Sequence, residues 1–208
     1  MKQSVRREEY DRKNSGNAMN DKPEYLGKEY SNSEVWIDLN YSSKVEKTIS
    51  DATEQFKNKN GIKVISTDSP IEFNGFPYGT FFKYGGSGEL EYCLNCISSG
   101  EGGFVVLAFE EEKMIGYGVV EDKTKEQEVK IIDVDLYSTR KNGLYEPITI
   151  GDSEIRVGVG HAIVKGIVEF REKPLFVDAT NKNSRYIFKS FGFLQDRTVS
   201  NPCLLRLV

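Results

Sequence analysis

The segment Ile155 to Phe193 reads IRVGVGHAIVKGIVEFREKPLFVDATNKNSRYIFKSFGF and is the most informative stretch of this chain. A pair of glycines precedes apolar residues at helical spacing, which predicts a helix over residues 162–170. Leu175–Val177 predicts a short buried strand, and the residues from there to Gly192-Phe193 predict a second helix. The segment is therefore a helix, strand and helix unit.

Gly158 and Gly160 lie where the first of these helices begins. The first turn of a helix has unpaired N–H groups at the positive end of its dipole, and a glycine lets a ligand approach without a Cβ in the way. The pattern predicts a site for phosphate oxygens, with Arg156 adding a charged hydrogen bond and Lys165 assisting from the next turn. Glycines that serve helix packing alone are the other explanation.

The same glycines, followed by a strand that ends at Asp178, also imitate the dinucleotide-binding fingerprint. Ile163 stands at the position of the third glycine, and the thirty residues after Asp178 are too few to complete a doubly wound sheet. Residues 104–138 contain three β-rich runs joined by short charged turns, which predicts an antiparallel meander rather than parallel strands. A dinucleotide fold is therefore disfavoured.

The remaining elements are predicted from periodicity and capping signals. Val35, Ile37 and Leu39 alternate as in a strand, and Ser43 with Glu46 forms a capping box for a helix that ends at Asn60-Gly61. The sequence further predicts a short strand at Ile62–Ser66, a helix near Leu90 and a last strand at Cys203–Val208. This order predicts a mixed α+β layered architecture.

Composition sets the limits of the domain. Residues 1–30 are polar and charged, so we expect a disordered N-terminal tail, in which Met19 offers a second initiator, and one domain over residues 31–208. The net charge of -4 gives no general attraction for nucleic acid or an anionic membrane. The sequence lacks an apolar run of about 20 residues and a signal peptide, which predicts a cytoplasmic protein that does not bind membranes.

The three cysteines disfavour both a disulfide framework and a metal site. Cys93, Cys96 and Cys203 are an odd and sparse set. Cys93 and Cys96 could be half of a zinc site or a redox pair, but there is no second pair and His161 is the only histidine. We expect no metal, and we interpret the two residues as part of one apolar helical face.

The meander, the RVGVGHAIV motif and the segment PLFVDATNKNSRYIFKSFGF together resemble the GNAT superfamily of N-acetyltransferases over about Glu34 to Val208. The resemblance implies an α/β/α-layered fold with a central mixed, mostly antiparallel sheet flanked by helices. It also implies a sheet that is splayed at the fourth strand, where the pantetheine arm of acetyl-CoA lies, with the pyrophosphate on the following loop and helix. Acetyl-CoA would be the acyl-donor substrate.

Carried onto this sequence, the resemblance implies contacts for each part of acetyl-CoA. The pantetheine arm would pair with the strand at Val134, Asp135 and Leu136. Asn181 matches the asparagine that opens the family's fourth helix, and Gly192-Phe193 matches its closing pair. The pyrophosphate would bind mostly backbone N–H groups in a run that comprises Arg156, Val157, Gly158, Val159, Gly160, His161 and Ala162.

The sequence departs from the family pattern at three places. Ile155 stands where the family has glutamine or arginine, with Arg156 one place late. Residues 139–154 form an insertion before the phosphate loop, within which Tyr145–Ile150 predicts an extra hairpin. Phe188 stands where the family has the tyrosine that protonates the departing thiolate.

Acyl transfer to an amine needs a donor for the oxyanion and an acceptor for the amine proton. We expect the donor to be a backbone N–H near Val134 or Asp135. Asp133 and Asp135 lie two residues apart on one face of the strand, where one carboxylate could hold the substrate ammonium and the other could accept its proton. Solvated acids on an exposed strand are an equally good explanation of this pair.

The proton for the departing thiolate has several candidate sources. Tyr137 lies just past the pantetheine strand. Tyr186 would serve only if its helix directed it toward the site, because two residues turn a side chain by about 200° from Phe188. Solvent is the third source, since a thiol pKa is about 8.5. We interpret His161 as an anion contact or a surface residue.

These observations predict an N-acetyltransferase that transfers the acetyl group of acetyl-CoA to a primary amine of a small molecule, peptide or protein. A non-catalytic GNAT-like acyl-CoA-binding or regulatory module is the alternative that Phe188 and the insertion leave open. A charged tRNA as acceptor is a third hypothesis, which the acidic balance does not favour. The aromatic passage Phe73–Tyr84 either lines a substrate pocket or covers the core, and the sequence leaves a homodimer open.

Overall fold

The computed structural model of the chain describes residues 43–69, 95, 97, 99–134 and 145–208. The predicted tail, the strand at Val35–Leu39, the aromatic passage Phe73–Tyr84 and the Cys93 and Cys96 pair lie outside these residues. The helices of the described part are α1 (Ser43–Asn60), α2 (Val159–Phe170) and α3 (Lys182–Ser190). Its strands are β1 (Ile62–Thr67), β2 (Phe104–Glu110), β3 (Lys113–Asp122), β4 (Gln127–Val134), β5 (Ile148–Ile150), β6 (Ser153–Ile155), β7 (Leu175–Asp178), β8 (Leu194–Gln195) and β9 (Leu204–Leu207).

Seven of the described strands form one sheet in the order β1-β2-β3-β4-β7-β9-β8. Every neighbouring pair is antiparallel except β4 and β7, which are parallel. The parallel pair follows from the connection, because α2 lies between β4 and β7 in sequence and carries the chain back along the sheet. The α+β fold class and the antiparallel meander that the sequence predicts are confirmed, and the two-residue strand β8 is an addition to the prediction.

Side chains of β2 alternate between two core clusters, one on each face of the sheet. The first cluster lies with α1, α2 and α3 and includes Phe104, Val106 and Ala108. The second lies on the opposite face and includes Val105, Leu107, Phe109 and the helical residue Ile97. The sheet is therefore covered on both faces. In the part of the chain described, no helix combines the length and apolar character needed to cross a membrane.

Helix α2 lies unusually close to the sheet because glycines occupy the contact on both sides. A Cβ at Gly118 of β3 would lie 2.8 Å from Ile163 Cγ2, and a Cβ at Gly166 of α2 would lie 2.8 Å from Val106 Cγ1. Ile163 and Ile167 of this helix are fully buried, each with 0% exposure. This packing sets the depth and direction of α2, and therefore the position of its first turn.

The strands β5 and β6 form an extra hairpin, of which only β5 lies in the range Tyr145–Ile150 that the sequence predicts, because the second strand follows it at Ser153–Ile155. Gly151 takes φ +59 in its turn, a conformation that favours glycine. The hairpin is anchored on α1, because the ring of Tyr145 packs edge-on against Phe56 with 4.6 Å between centroids. Since the hairpin ends three residues before Gly158, its position fixes where the chain enters α2.

Candidate functional site

The parallel pair β4 and β7 is hydrogen-bonded over three positions only, from Gln127 opposite Leu175 to Val129 opposite Val177. Beyond Val129, β4 continues to Val134 and remains paired with β3 on its other side. The two strands are therefore hydrogen-bonded from Gln127 to Val129 of β4, which we call the closed end, and lack such pairing from there to Val134, which we call the open end.

A β-bulge explains why the two strands part at this point. In the register of β3 with β4, Val120 lies opposite Val129 and Val119 lies opposite Ile131, so Lys130 is the extra residue. A bulge bends its strand and increases the local twist. The direction of β4 changes at the residue where its pairing with β7 ends.

A cleft of about 650 Å³ lies where the strands diverge. Its walls come from β4, β7, the first half of α2 and one side of α3 from Lys182 to Phe188. Ile132 and Val134 of β4 pack toward the helical core cluster and Ile131 packs toward the opposite one, so the cleft has walls from both faces of the sheet. The principal lining residues are Lys130, Asp133, Val134, Gly160, Val164, Asp178, Asn181, Ser184, Ile187 and Phe188.

The first turn of α2 contributes Gly160 to the wall of the cleft. Gly158 is the N-cap of α2 in an extended conformation, without a side-chain cap, and the first turn contains no acidic residue. The N–H groups of this turn are therefore not capped by a side chain, and the positive end of the helix dipole is not balanced by a carboxylate within it. A phosphate group is the kind of ligand that such a helix end binds.

The two glycines of the motif have different explanations. A Cβ at Gly160 would lie 3.2 Å from Ile187 Cδ1, so the close contact of α2 with α3 accounts for this glycine. A Cβ at Gly158 would meet only the Tyr145 ring, at the ordinary contact distance of 3.6 Å. Among the described residues, packing therefore does not require a glycine at 158, and two explanations remain: the preference for glycine at an N-cap and the close approach of a ligand.

The predicted phosphate-loop residues present mainly their backbone. The side chains of Val157, Val159 and Ala162 are buried, with exposures of 5%, 2% and 1%. Only their N–H groups could serve a ligand, and that of Ala162 already donates to the Gly158 carbonyl oxygen at 3.1 Å. Lys165 does not extend toward the helix start, because its ammonium group forms an ion pair with Glu169 one turn toward the C-terminus. Its predicted assistance to the phosphates is wrong in this arrangement.

His161 is buried, so its interpretation as an anion contact or a surface residue is wrong for the side chain. The imidazole is 5% exposed and packs against Tyr186 of α3, with 5.8 Å between the ring centroids. Burial lowers the pKa of His161 to about 3, so the ring is neutral at physiological pH. Its Nε2 atom is buried without a hydrogen-bond partner in the described part of the structure. Only the backbone N–H of this residue remains a candidate phosphate ligand.

Helix α3 begins at Asn181, as the sequence predicts. The Asn181 side chain accepts a hydrogen bond from the Ser184 N–H at 2.7 Å, and the Ser184 hydroxyl donates to the Asn181 carbonyl oxygen at 2.9 Å. The turn that holds both residues lines the cleft. Gly192 follows the helix with φ +87, which is the left-handed conformation that commonly ends a helix.

Phe188 and Tyr186 face different parts of the molecule. Phe188 lines the cleft and packs against Phe193, with 5.0 Å between centroids. Tyr186 instead packs on His161 between α3 and α2 and is not part of the cleft wall. Tyr186 therefore does not replace a cleft-facing acid, because the helix turns it away from the opening.

Of the catalytic candidates on β4, the described residues include Asp133, whereas Asp135, Leu136 and Tyr137 lie outside them. Asp133 lines the cleft and lies opposite Tyr117 of β3. Its Oδ1 atom accepts a hydrogen bond from the Val134 N–H at 2.9 Å. Of the two N–H groups that the sequence offers for the oxyanion, Val134 and Asp135, that of Val134 is thus bonded to the neighbouring carboxylate in this structure. Among the described side chains, no group of three His, Cys, Asp or Glu residues could hold a metal ion.

Comparison with known proteins gives structural likenesses only. No family model and no curated protein sequence matches the chain. An N-acetyltransferase of Campylobacter jejuni, PseH, matches at 16% identity and a TM-score of 0.44, over 70% of this chain and 96% of that one. The PaiA N-acetyltransferase of Thermoplasma acidophilum, in complex with coenzyme A, matches at 13% identity and a TM-score of 0.41, over 78% and 91%.

A GNAT family acetyltransferase of Elizabethkingia anophelis with acetyl-CoA bound matches at 15% identity and a TM-score of 0.39, over 70% of this chain and 95% of that one. These solved structures belong to the family that the sequence resembles. With TM-scores below 0.5 they do not assign a function to this chain.

Proposed function

We propose that this chain is an acetyl-CoA-dependent N-acetyltransferase that acts on a primary amine of a small molecule, peptide or protein by direct attack in a ternary complex. The observation that carries the proposal is the cleft between β4 and β7, which joins a strand edge that has no partner strand among the described residues to a helix end without a side-chain cap. An extended ligand with amide groups at one end and phosphates at the other suits both the strand edge and the helix end.

The strand edge suits the pantetheine arm of acetyl-CoA. From Lys130 to Val134, β4 has β3 on one side and the cleft on the other. Backbone groups on such an edge pair with an added extended segment in the manner of an extra strand. The two amide groups of the pantetheine arm would pair here and with Asp135 and Leu136, which continue the chain.

The start of α2 suits the pyrophosphate. The N–H groups of residues 156–162 include the first turn of the helix, and Gly158 presents no Cβ to an approaching oxygen. Asn181, at the start of α3 on another wall of the cleft, is the candidate polar contact along the arm. The residues present therefore fit acetyl-CoA, which would supply the thioester for the reaction.

The chemistry is a balanced acyl transfer. The neutral amine attacks the thioester carbonyl carbon, the carbon–sulfur bond breaks, and the sulfur leaves as a thiolate that takes one proton. The N–H of Val134 is the candidate donor to the oxyanion. Asp133, on the same wall, is the candidate acceptor of the amine proton, together with Asp135. Tyr137 remains a candidate proton donor, and solvent is the other source for the thiolate proton.

A non-catalytic acyl-CoA-binding or regulatory module is the second candidate function, and Phe188 is the observation that favours it. A phenyl ring on the cleft wall supplies no proton to a leaving thiolate. The two candidates share the binding site and differ in turnover alone.

Binding is tested by titrating the protein with acetyl-CoA and measuring its melting temperature, since a ligand of the native state raises stability. We expect an increase at millimolar acetyl-CoA. The matched variant is Gly158→Asp, which adds a good N-cap residue but brings a carboxylate to the phosphate position. It should melt no lower than the parent protein and show a much smaller increase. Absence of any increase for the parent chain would overturn both candidate functions.

Turnover is tested by following thiol release from acetyl-CoA with a panel of primary amines. An N-acetyltransferase releases free CoA in proportion to the amine that it acetylates. Tight binding of acetyl-CoA combined with no release across the panel would select the binding module instead.

A further inference from the structure

The Val134 N–H is the last described donor on the cleft edge of β4, and it already has a partner. Its hydrogen bond to Asp133 Oδ1 measures 2.9 Å, and the carboxylate that accepts it lines the same cleft. Hydrogen bonds that involve a charged group are stronger than those between neutral groups. A ligand that needs this N–H must therefore displace a strong internal acceptor.

The register of the sheet explains why this N–H is available to the cleft. In an antiparallel pair, alternate residues direct their backbone groups to the partner strand, and the residues between them direct theirs to the other side. Asp133 lies opposite Tyr117 in the pair of β3 with β4, and the following N–H bonds a side chain. That N–H therefore belongs to the edge along which the acyl group would lie.

An N–H group carries a single hydrogen, so the carboxylate and an acyl carbonyl oxygen compete for it. We propose, on the basis of the proposed function, that the Asp133 carboxylate competes with the acyl carbonyl oxygen of acetyl-CoA for the hydrogen of the Val134 N–H. Acetyl-CoA displaces the carboxylate, whereas CoA, which has no acyl carbonyl, leaves it in place.

The competition couples the two substrates. While Asp133 is bonded to Val134, its charge is partly satisfied and it is a weak partner for an ammonium group. Once an acyl carbonyl occupies the N–H, the Asp133 carboxylate loses this hydrogen bond beside the thioester, where it can hold the amine and accept its proton. An amine then binds well only to the acetyl-loaded protein, and the product CoA restores the closed arrangement.

The test compares the affinities of acetyl-CoA and CoA by calorimetry for the parent protein, Asp133→Ala and Asp178→Ala. Asp178 is the matched control, because it is a second carboxylate on the cleft wall and accepts a hydrogen bond from Asn201 Nδ2 at 3.1 Å rather than from β4. We expect Asp133→Ala to bind acetyl-CoA about 3- to 10-fold more tightly with the affinity for CoA unchanged. Asp178→Ala should leave the ratio of the two affinities as it is.

Equal gains for both ligands in Asp133→Ala would indicate a general charge effect and overturn the proposal, and so would no gain for either. If the parent protein binds neither ligand, the proposed function fails first, and the two failures are thereby distinguished.

A measurement on the parent protein avoids any folding defect of the variants. The amide proton signal of Val134 in valine-labelled protein should shift on addition of acetyl-CoA and stay near its ligand-free position with CoA. Identical shifts with both ligands would contradict the proposal.

Discussion

The two halves of the sheet differ in how they meet their neighbours. Under α2, the strands β1 to β4 pair along their length apart from one β-bulge in each of the pairs β2–β3 and β3–β4, and glycines on both the strands and the helix bring the layers into close contact. Between β4 and β7, pairing stops after three positions and a cleft of about 650 Å³ takes the place of a packed core. The same helix belongs to both halves, because its buried face packs on the first and its first turn lines the second.

The difference shows how a rigid support positions an open site. The closed half determines where α2 begins, and the open half leaves backbone N–H groups available at that position. We therefore expect substitutions in the closed half to change stability and substitutions in the open half to change ligand binding or turnover. Substitutions in each half test this division.

Ile163→Ala, in the closed half, should lower the free energy of unfolding by about 3 to 4 kcal/mol, because a fully buried side chain leaves a cavity between helix and sheet. Ile187→Ala, on the cleft wall, should cost about 1 to 2 kcal/mol, since this side chain is only half-buried. Denaturant unfolding measures both changes. Equal losses would show that the cleft wall is as tightly packed as the closed half.

The free energy of unfolding should fall in acid because of His161, which lies at the boundary between the two halves. The unfolded chain binds a proton at His161 near pH 6.5, whereas the folded chain binds it only near pH 3 because burial lowers this pKa. The unfolded state therefore holds more protons in this interval, and stability should fall by up to about 1.4 kcal/mol for each pH unit below 6.5.

The measurement is the free energy of unfolding between pH 6.5 and 4.5. Asp196 keeps its charge over this range, because hydrogen bonds from Thr198 and Arg206 lower its pKa to about 2. His161→Phe, which keeps an aromatic ring beside Tyr186, is the control and should remove most of the slope. An unchanged slope in this variant would assign the acid sensitivity to other groups.

The substitution of glycine by alanine, made once within α2 and once at its start, should show directly that the two halves respond differently. Gly166→Ala should cost about 1 to 2 kcal/mol of stability, since its Cβ would lie 2.8 Å from Val106 Cγ1. Gly158→Ala should cost less, at most about 1 kcal/mol for alanine at an N-cap, because its Cβ makes only an ordinary contact with Tyr145. Gly158→Ala should nevertheless weaken acetyl-CoA binding several-fold. The division between the two halves would be wrong if Gly166→Ala weakened acetyl-CoA binding more than Gly158→Ala does.

Phe188→Tyr should act on turnover, because Phe188, although only 3% exposed, borders the cleft. A phenol on the cleft wall would donate a proton to the leaving thiolate, and we expect about a 10-fold faster thiol release with a reactive amine. The control is Phe193→Tyr, because Phe193 contacts Phe188 but is fully buried, with 0% exposure. It should lower stability without raising turnover. No acceleration in Phe188→Tyr would leave proton donation to solvent or to Tyr137.

Local patterns in the sequence predicted most of the described fold. Alternation and short charged turns identified β2, β3 and β4, and the resemblance to the family motif located the start of α3 at Asn181. The strand β8 was missed because two residues are too few to show a period. His161 was misplaced because a helical position shows its orientation only once the neighbouring helix is known, and α3 covers it.

The candidate site was predictable in part. The glycines at the start of α2 were visible, but their two separate explanations depend on distances to Ile187 and Tyr145. The bulge at Lys130, which ends the pairing of β4 with β7, leaves no mark in the pattern of residues. The bond between Asp133 and the Val134 N–H was equally hidden, since it depends on the side-chain rotamer.

The sequence by itself determined the order of the elements, the alternation that buries each strand and the glycine-flanked start of α2, because these follow from interactions between near neighbours along the chain. The tertiary structure alone decided that β4 diverges from β7, that Phe188 rather than Tyr186 faces the cleft, and that Asp133 bonds the Val134 N–H. Those outcomes depend on contacts between segments far apart in sequence, whose geometry no local pattern records.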